Sequence, residues 1–194
     1  VIRARSPSRG LGDVYKRQMS PYRFYQAWIS VDDSEVRKLL LQLTFLSPEE
    51  IDDLVTEHDQ HPENRLGQRT LAKELTTIVH GEQAAASAAE ASDLLFDPSA
   101  DISAVSQSAL EFISGEVPST QTQTIQMGII DCLVETGLCQ SRKDAKRAIA
   151  EGGIYVNGER VSEADSSLTA DHLLHSKYIL LRRGKKLWHL VTSG

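Results

Sequence analysis

The sequence predicts an α+β protein, an all-helical domain followed by a small α/β domain of two helices and a small, mostly antiparallel sheet. Three observations predict it. From Met19 to about Glu116 apolar residues recur at helical spacing and almost nothing reads as strand. Pro118 to Thr124, PSTQTQT, is polar and uncharged, as a linker or extended connection is. Beyond it, Ser141 to Gly158, SRKDAKRAIAEGGIYVNG, joins a basic helix to a tight hairpin.

Taken in order, the chain opens on a stretch set aside from the fold. Ser8 to Gln18, SRGLGDVYKRQ, back-translates to a string resembling a transposase-based sequencing adapter read in frame. Residues 1–18 are therefore expected to be an artefact rather than a native basic arm that binds nucleic acid. The expected domains are residues 19–117, helical, a linker at 118–126, and residues 127–194, the small α/β domain.

Ser20-Pro21 opens the first helix, with Phe24, Tyr25, Trp28 and Ile29 on one broad face that reads as core. Asp32 and Glu35 resemble a capping box ahead of Val36, Leu39, Leu40 and Leu43, leaving Asp33 in the exposed first turn. Ser47-Pro48-Glu49-Glu50 caps the next helix, whose stripe is Ile51, Leu54 and Val55. Gln68 to His80 carries Leu71, Leu75, Ile78 and Val79, with Gly81 interrupting. Gln83 to Leu95 is alanine-rich, with high helix propensity and little apolar bulk, a peripheral helix or a helical connector. Asp97-Pro98 breaks it, and Ile102 to Phe112 forms a further short helix.

Past the linker, Ile129, Ile130, Leu133 and Val134 face one side of a helix ending at Gly137. Ser141 caps the basic helix, with Asp144 three residues on. Ala145, Ala148 and Ile149 fall on its packing face, and Arg142, Lys143, Lys146 and Arg147 spread over the other. Gly152-Gly153 ends it, Ile154 to Val156 is a strand, and Asn157-Gly158 is a hairpin turn with Glu159 to Val161 pairing back. A turn follows at Asp165 and Ser166, then a helical turn near Leu173. Tyr178 to Arg182 and Leu187 to Val191 are strands joined by the basic turn Arg183-Gly184-Lys185-Lys186.

Charge divides with the domains. Of 21 Lys+Arg and 27 Asp+Glu, residues 1–18 hold 5 and 1, residues 19–126 hold 6 and 18, and residues 127–194 hold 10 and 8. The helical part is acidic and the last part mildly basic. Arg142, Lys143, Lys146 and Arg147, joined by Lys177, Arg182, Arg183, Lys185 and Lys186, can neutralise several phosphates, although such cations also sit on any solvated face. On composition the two readings weigh equally. No apolar run reaches membrane-spanning length. The two cysteines, Cys132 and Cys139, make no disulfide framework, which sets a reducing compartment as the expectation and two packed thiols as the reading.

Catalysis finds little support. There is no Gly-x-x-x-x-Gly-Lys, nucleophile elbow or cysteine zinc spacing. His58-x-x-His61 and His172-x-x-His175 have metal-like intervals without a third ligand, and read as surface histidines. No catalytic residue and no metal site is assigned.

MGIIDCLVETGLCQSRKDAKRAIAEGGIYVNGERV with LLHSKYILLRRGKKLWHLV resembles the C-terminal RNA-binding domain of bacterial tyrosyl-tRNA synthetase, a type shared with a small-subunit ribosomal protein. SPYRFYQAWISVDD, LTFLSPEEI and LAKELTTIVHG are similar to that family's helical anticodon-binding domain. The segments fall in the family's order and cover residues 19–194.

The resemblance implies a tRNA-binding C-terminal fragment of a tyrosine–tRNA ligase. The full enzyme would attach tyrosine to tRNA(Tyr) through a tyrosyl-adenylate, with ATP and Mg²⁺. The HIGH-type motif, KMSKS-type loop and tyrosine pocket would lie upstream, so this chain would be inactive alone and need no cofactor. It further implies RNA contacts from Arg142, Lys143, Lys146, Arg147, Arg182, Arg183, Lys185 and Lys186. Asp33 would accept hydrogen bonds from an anticodon base, or else only serve helix-start electrostatics. The implied enzyme is cytoplasmic and dimerises through its catalytic domain, which puts dimerisation of this chain in doubt. Neither membrane nor DNA is an expected partner. Two other readings stay open: a free-standing RNA-binding regulator or RNA-modification module, and a helical module whose acidic part binds protein.

Overall fold

The computed structural model describes residues 19–97, 100–123 and 125–194. The adapter-like residues 1–18, the helix-breaking Pro98, and Thr124 of the expected linker lie outside the described residues. The chain divides into two compact units, one running to Ala85 and one covering Ala86–Gly194. That division falls well before 118–126.

The first unit is helical. Helix α1 (Pro21–Ile29) starts on Ser20, whose hydroxyl accepts from the Arg23 N–H at 3.2 Å, with Pro21 at its first position. Helix α2 (Asp33–Leu43) has Asp32 at its N-cap but no side-chain cap bond. The expected box is absent because Glu35 turns along the helix to Lys38, 3.0 Å away, rather than back. Helix α3 (Pro48–Gln60) has the full capping box: Glu50 N–H donates to Ser47 Oγ at 3.3 Å, and Ser47 N–H to Glu50 Oε2 at 2.8 Å. Helix α4 (Leu66–His80) follows Arg65, which takes a left-handed φ of 53°.

Val36, Leu40, Ile51, Leu71 and Leu75 form the core, with Phe24 and Trp28 packed edge-on beside it. Leu43, Ile78 and Val79 share the expected stripes yet are exposed, because each lies in the last turn of its helix. Gly67 lies where α4 approaches α2: a Cβ there would stand 2.7 Å from Val36 Cγ1. Val36 is 1% exposed and has no room to yield. Gly67→Ala is expected to cost about 1–3 kcal/mol despite the better helix propensity of alanine. An unfolding midpoint at or above the parent's would contradict this packing.

Helix α5 (Glu82–Phe96) is not peripheral. Ala85, Ala88 and Ala91 are fully buried, because small side chains permit close backbone approach. The single helix expected over 102–112 is two pieces. Asp101 accepts from Ser103 N–H at 2.9 Å and caps a 3₁₀ turn, Ile102–Ala104, and Ser106 then caps α6 (Gln107–Ser114).

A five-stranded sheet organises the second unit, in the order β1 (Ser119–Thr122), β7 (Leu187–Ser193), β6 (Tyr178–Arg183), β3 (Ile154–Val156), β4 (Glu159–Arg160). All pairs are antiparallel except β1 with β7. Strand β1 lies inside the stretch expected to be a linker. As an edge strand it needs no apolar residues, threonine suits it, and Thr120 Oγ1 lies 2.9 Å from His189 Nε2 on β7. Short strands β2 (Met127–Gly128) and β5 (Ser167–Leu168) pair separately.

Helices α7 (Ile129–Glu135) and α8 (Arg142–Ala150) cover one face of the sheet. Ile129, Leu133, Ala145, Ala148 and Ile149 pack with Ile154, Val156, Ile179, Leu181 and Val191. No helix among the described residues is long and apolar enough to cross a membrane.

Candidate nucleic-acid interface

The basic helix α8 is fixed at both ends. Ser141 Oγ accepts from the Asp144 N–H at 3.2 Å, and Gly152 leaves the last turn with a φ of +69° that glycine adopts without a Cβ clash. The Asn157-Gly158 turn takes positive φ at both residues, 48° and 84°, as a tight hairpin requires. Asn157 also stitches the turn to its surroundings. Its Nδ2 donates to His172 O at 2.6 Å and its Oδ1 accepts from Leu180 N–H at 2.9 Å.

The eight cations named from the sequence differ in their partners. Arg142 is paired with Asp131, and Arg147 reaches Asp144 at 3.0 Å and Glu151 at 3.9 Å. Lys143 and Lys146 are exposed and have no carboxylate partner among the described residues. A depression of about 300 Å³ beside them is lined by Ser141, Lys143, Asp144 and Arg147.

Arg183 is a bracing residue. It donates to both oxygens of Asp144 at 2.8 and 2.9 Å and to Leu138 O at 2.8 Å. The two Arg183 bonds to Asp144, joined by one from Gln140 N–H, hold its carboxyl down at about 2. Arg182, the next residue on β6, points to the opposite face, since side chains alternate along a strand. Its guanidinium carbon lies 4.2 Å from the Tyr155 ring centre and 5.1 Å from that of Trp188, its cross-strand neighbours. Lys185 and Lys186 are exposed in the turn between β6 and β7, and Lys177 lies over Tyr178 at 5.2 Å.

Asp33, in the first unit, begins α2 with its side chain 64% exposed. Gln68 Nε2 donates to its Oδ1, and His58 Nε2 lies 3.5 Å from the same oxygen. His58 is 2% exposed, so the expectation of a surface histidine is overturned; its ring packs beside Gly67. Gln68, also buried, was missed, although it shares the α4 stripe with Leu71 and Leu75 at helical spacing. His172 accepts from Thr169 N–H at 3.1 Å and His175 lies 2.7 Å from Val105 O, so both are tied into the fold. Among the described residues no group of three His, Cys, Asp or Glu side chains is placed to hold a metal ion.

Both cysteines are free and buried. Burial, helped by the charge of Glu135, pushes the Cys132 thiol up to about 12, and burial also raises Cys139. Neither is therefore expected to react with a thiol-specific disulfide reagent at pH 8 until the chain is unfolded. Rapid labelling of the folded protein would contradict that environment.

Residues 109–191 match the family model described as "Tyrosine--tRNA ligase SYY-like C-terminal domain", and residues 13–97 match that of "tRNA synthetases class I (W and Y)". The tyrosine–tRNA ligase of Geobacillus stearothermophilus is 41% identical over 176 residues, 91% of this chain and 42% of that one. That of Opitutus terrae is 39% identical over 187 residues, 93% of this chain and 44% of that one. A solved tyrosyl-tRNA synthetase C-terminal domain is 33% identical, with 50% of this chain and 97% of that chain covered and a TM-score of 0.41. The chain belongs to the tyrosine–tRNA ligase family, and spans less than half the length of these two ligases.

Proposed function

We propose that this chain is the tRNA-holding part of a tyrosine–tRNA ligase. The observation that carries the reading is α8, a capped and braced helix presenting Lys143 and Lys146 to solvent without carboxylate partners among the described residues. Cations free of internal partners are the ones that can exchange counterions for phosphates. Arg142 and Arg147 flank them and give up a carboxylate to engage RNA. Such contacts position an RNA without reading its sequence, which falls to base contacts such as one at Asp33.

In the full enzyme the helical unit would lie near the anticodon, and the basic unit near the anticodon stem and long variable arm of tRNA(Tyr). Attachment of tyrosine, with ATP and Mg²⁺, belongs to the remainder of a homodimeric, cytoplasmic enzyme. No chemical step is assigned to the residues of this chain. Hydroxyl-radical footprinting of tyrosine tRNA tests the proposal. Protection should concentrate on the anticodon stem-loop and variable arm; protection confined to the acceptor end would contradict it.

A further inference from the structure

Two buried polar side chains converge on one exposed carboxylate in the helical unit. Gln68, 0% exposed, directs its amide nitrogen at Val31 O (3.3 Å) and at Asp33 Oδ1. His58, 2% exposed, sets Nε2 3.5 Å from that same oxygen. Neither ring nitrogen of His58, nor Gln68 Oε1, has a hydrogen-bond partner among the described residues. Unpaired buried polar atoms are costly, and a leucine at 68 would extend the Leu71 and Leu75 stripe without leaving any. The arrangement is thus poor for packing alone. What it does achieve is to hold Oδ1 from the inside through Gln68, with the His58 ring beside it, while Oδ2 has no partner among the described residues.

We infer that His58 and Gln68 are positioning residues that aim the Asp33 carboxylate at the N–H edge of an unpaired RNA base. The inference rests on the proposed base contact at Asp33 and adds how that contact is made selective. A carboxylate accepts only, so it favours a base edge that donates and rejects one that presents acceptors. With one oxygen engaged by Gln68, the other keeps a fixed direction before RNA arrives. Less ordering then remains to be done on binding. The positive N-terminal end of α2 keeps the charge on Asp33 favourable.

The test titrates the full chain with a tyrosine tRNA transcript and with the same RNA carrying replaced anticodon bases. Asp33→Ala should weaken binding to the first by about tenfold and leave the second unchanged. Gln68→Glu, which keeps the shape but sets a second carboxylate against Asp33, should weaken the first by about tenfold, and His58→Phe by about threefold. His58→Gln, which retains an N–H donor, should recover the affinity that His58→Phe forfeits. In an Asp33→Ala background Gln68→Glu and His58→Phe should have no further effect. Should Gln68→Glu fail to fold, Gln68→Met keeps the volume and must show the same dependence on Asp33. If the variants weaken Asp33→Ala as much as the parent, they act through the fold, and the positioning role is overturned while the base contact stands. If Asp33→Ala binds both RNAs as the parent does, the base contact itself is overturned, and the inference with it.

Discussion

Replacing Lys143 and Lys146 together with alanine lowers the slope of log affinity against log salt concentration by about two in magnitude, one for each phosphate that is no longer neutralised. Affinity for tyrosine tRNA at about 0.1 M salt falls by roughly 10–100-fold, and binding to unrelated RNA falls by a similar factor. The same pair of substitutions at Arg142 and Arg147 is expected to do less. Each arginine already has a carboxylate partner, Asp131 for Arg142 and Asp144 for Arg147. Removing them takes away a cation but also releases an acid from its pair, so the local potential changes in both directions. Equilibrium titrations at several salt concentrations measure both slopes. An unchanged slope for the lysine pair would remove α8 from the interface.

Asp144→Asn is expected to loosen the junction between α8 and the sheet. The carboxylate accepts from Gln140 N–H at 3.2 Å, from both Arg183 guanidinium nitrogens at 2.8 and 2.9 Å, and from Arg147 at 3.0 Å. An asparagine keeps one acceptor and loses the charge that Arg183 faces. The unfolding midpoint at pH 7 should drop by several degrees.

The pH dependence follows from the direction of the shift. Hydrogen bonds from Arg183 and Gln140, and the nearby positive charge, lower the folded Asp144 from 3.8 to about 2, against a smaller opposing effect of burial. Its stabilisation is therefore complete above pH 4 and disappears as pH falls through about 2. The parent and Asp144→Asn should differ most at neutral pH and converge at pH 2. Parallel stability curves across that range would contradict the assignment.

Local signals made the basic helix and hairpin legible. Ser141, Gly152 and Asn157-Gly158 each dictate backbone geometry through their own chemistry, and the structure places all of them as the spacing predicts. Strand β1 was illegible because an edge strand held by backbone pairing and one Thr120 to His189 contact needs no apolar alternation. The Asp32 box failed because Glu35 pairs with Lys38 along the helix instead of turning back.

The cationic site was legible as composition but not as geometry. Arg182 and Arg183 are neighbours in sequence and opposites in the sheet, one beside two aromatic rings and the other on Asp144. Strand alternation carried that information, and only the partner strands show what each face meets. His58 and Gln68 depend on the approach of α4 to α2 and α3 at Gly67, which no local pattern specifies.

The tRNA-holding role is tested by a paired titration of this chain, at one ionic strength, with tyrosine tRNA and with a tRNA of short variable arm. Tighter binding to tyrosine tRNA is expected, with affinity for both RNAs lowered when Arg142, Lys143, Lys146 and Arg147 are all alanine. Equal affinity for the two RNAs, or affinity unchanged by the fourfold substitution, would contradict it.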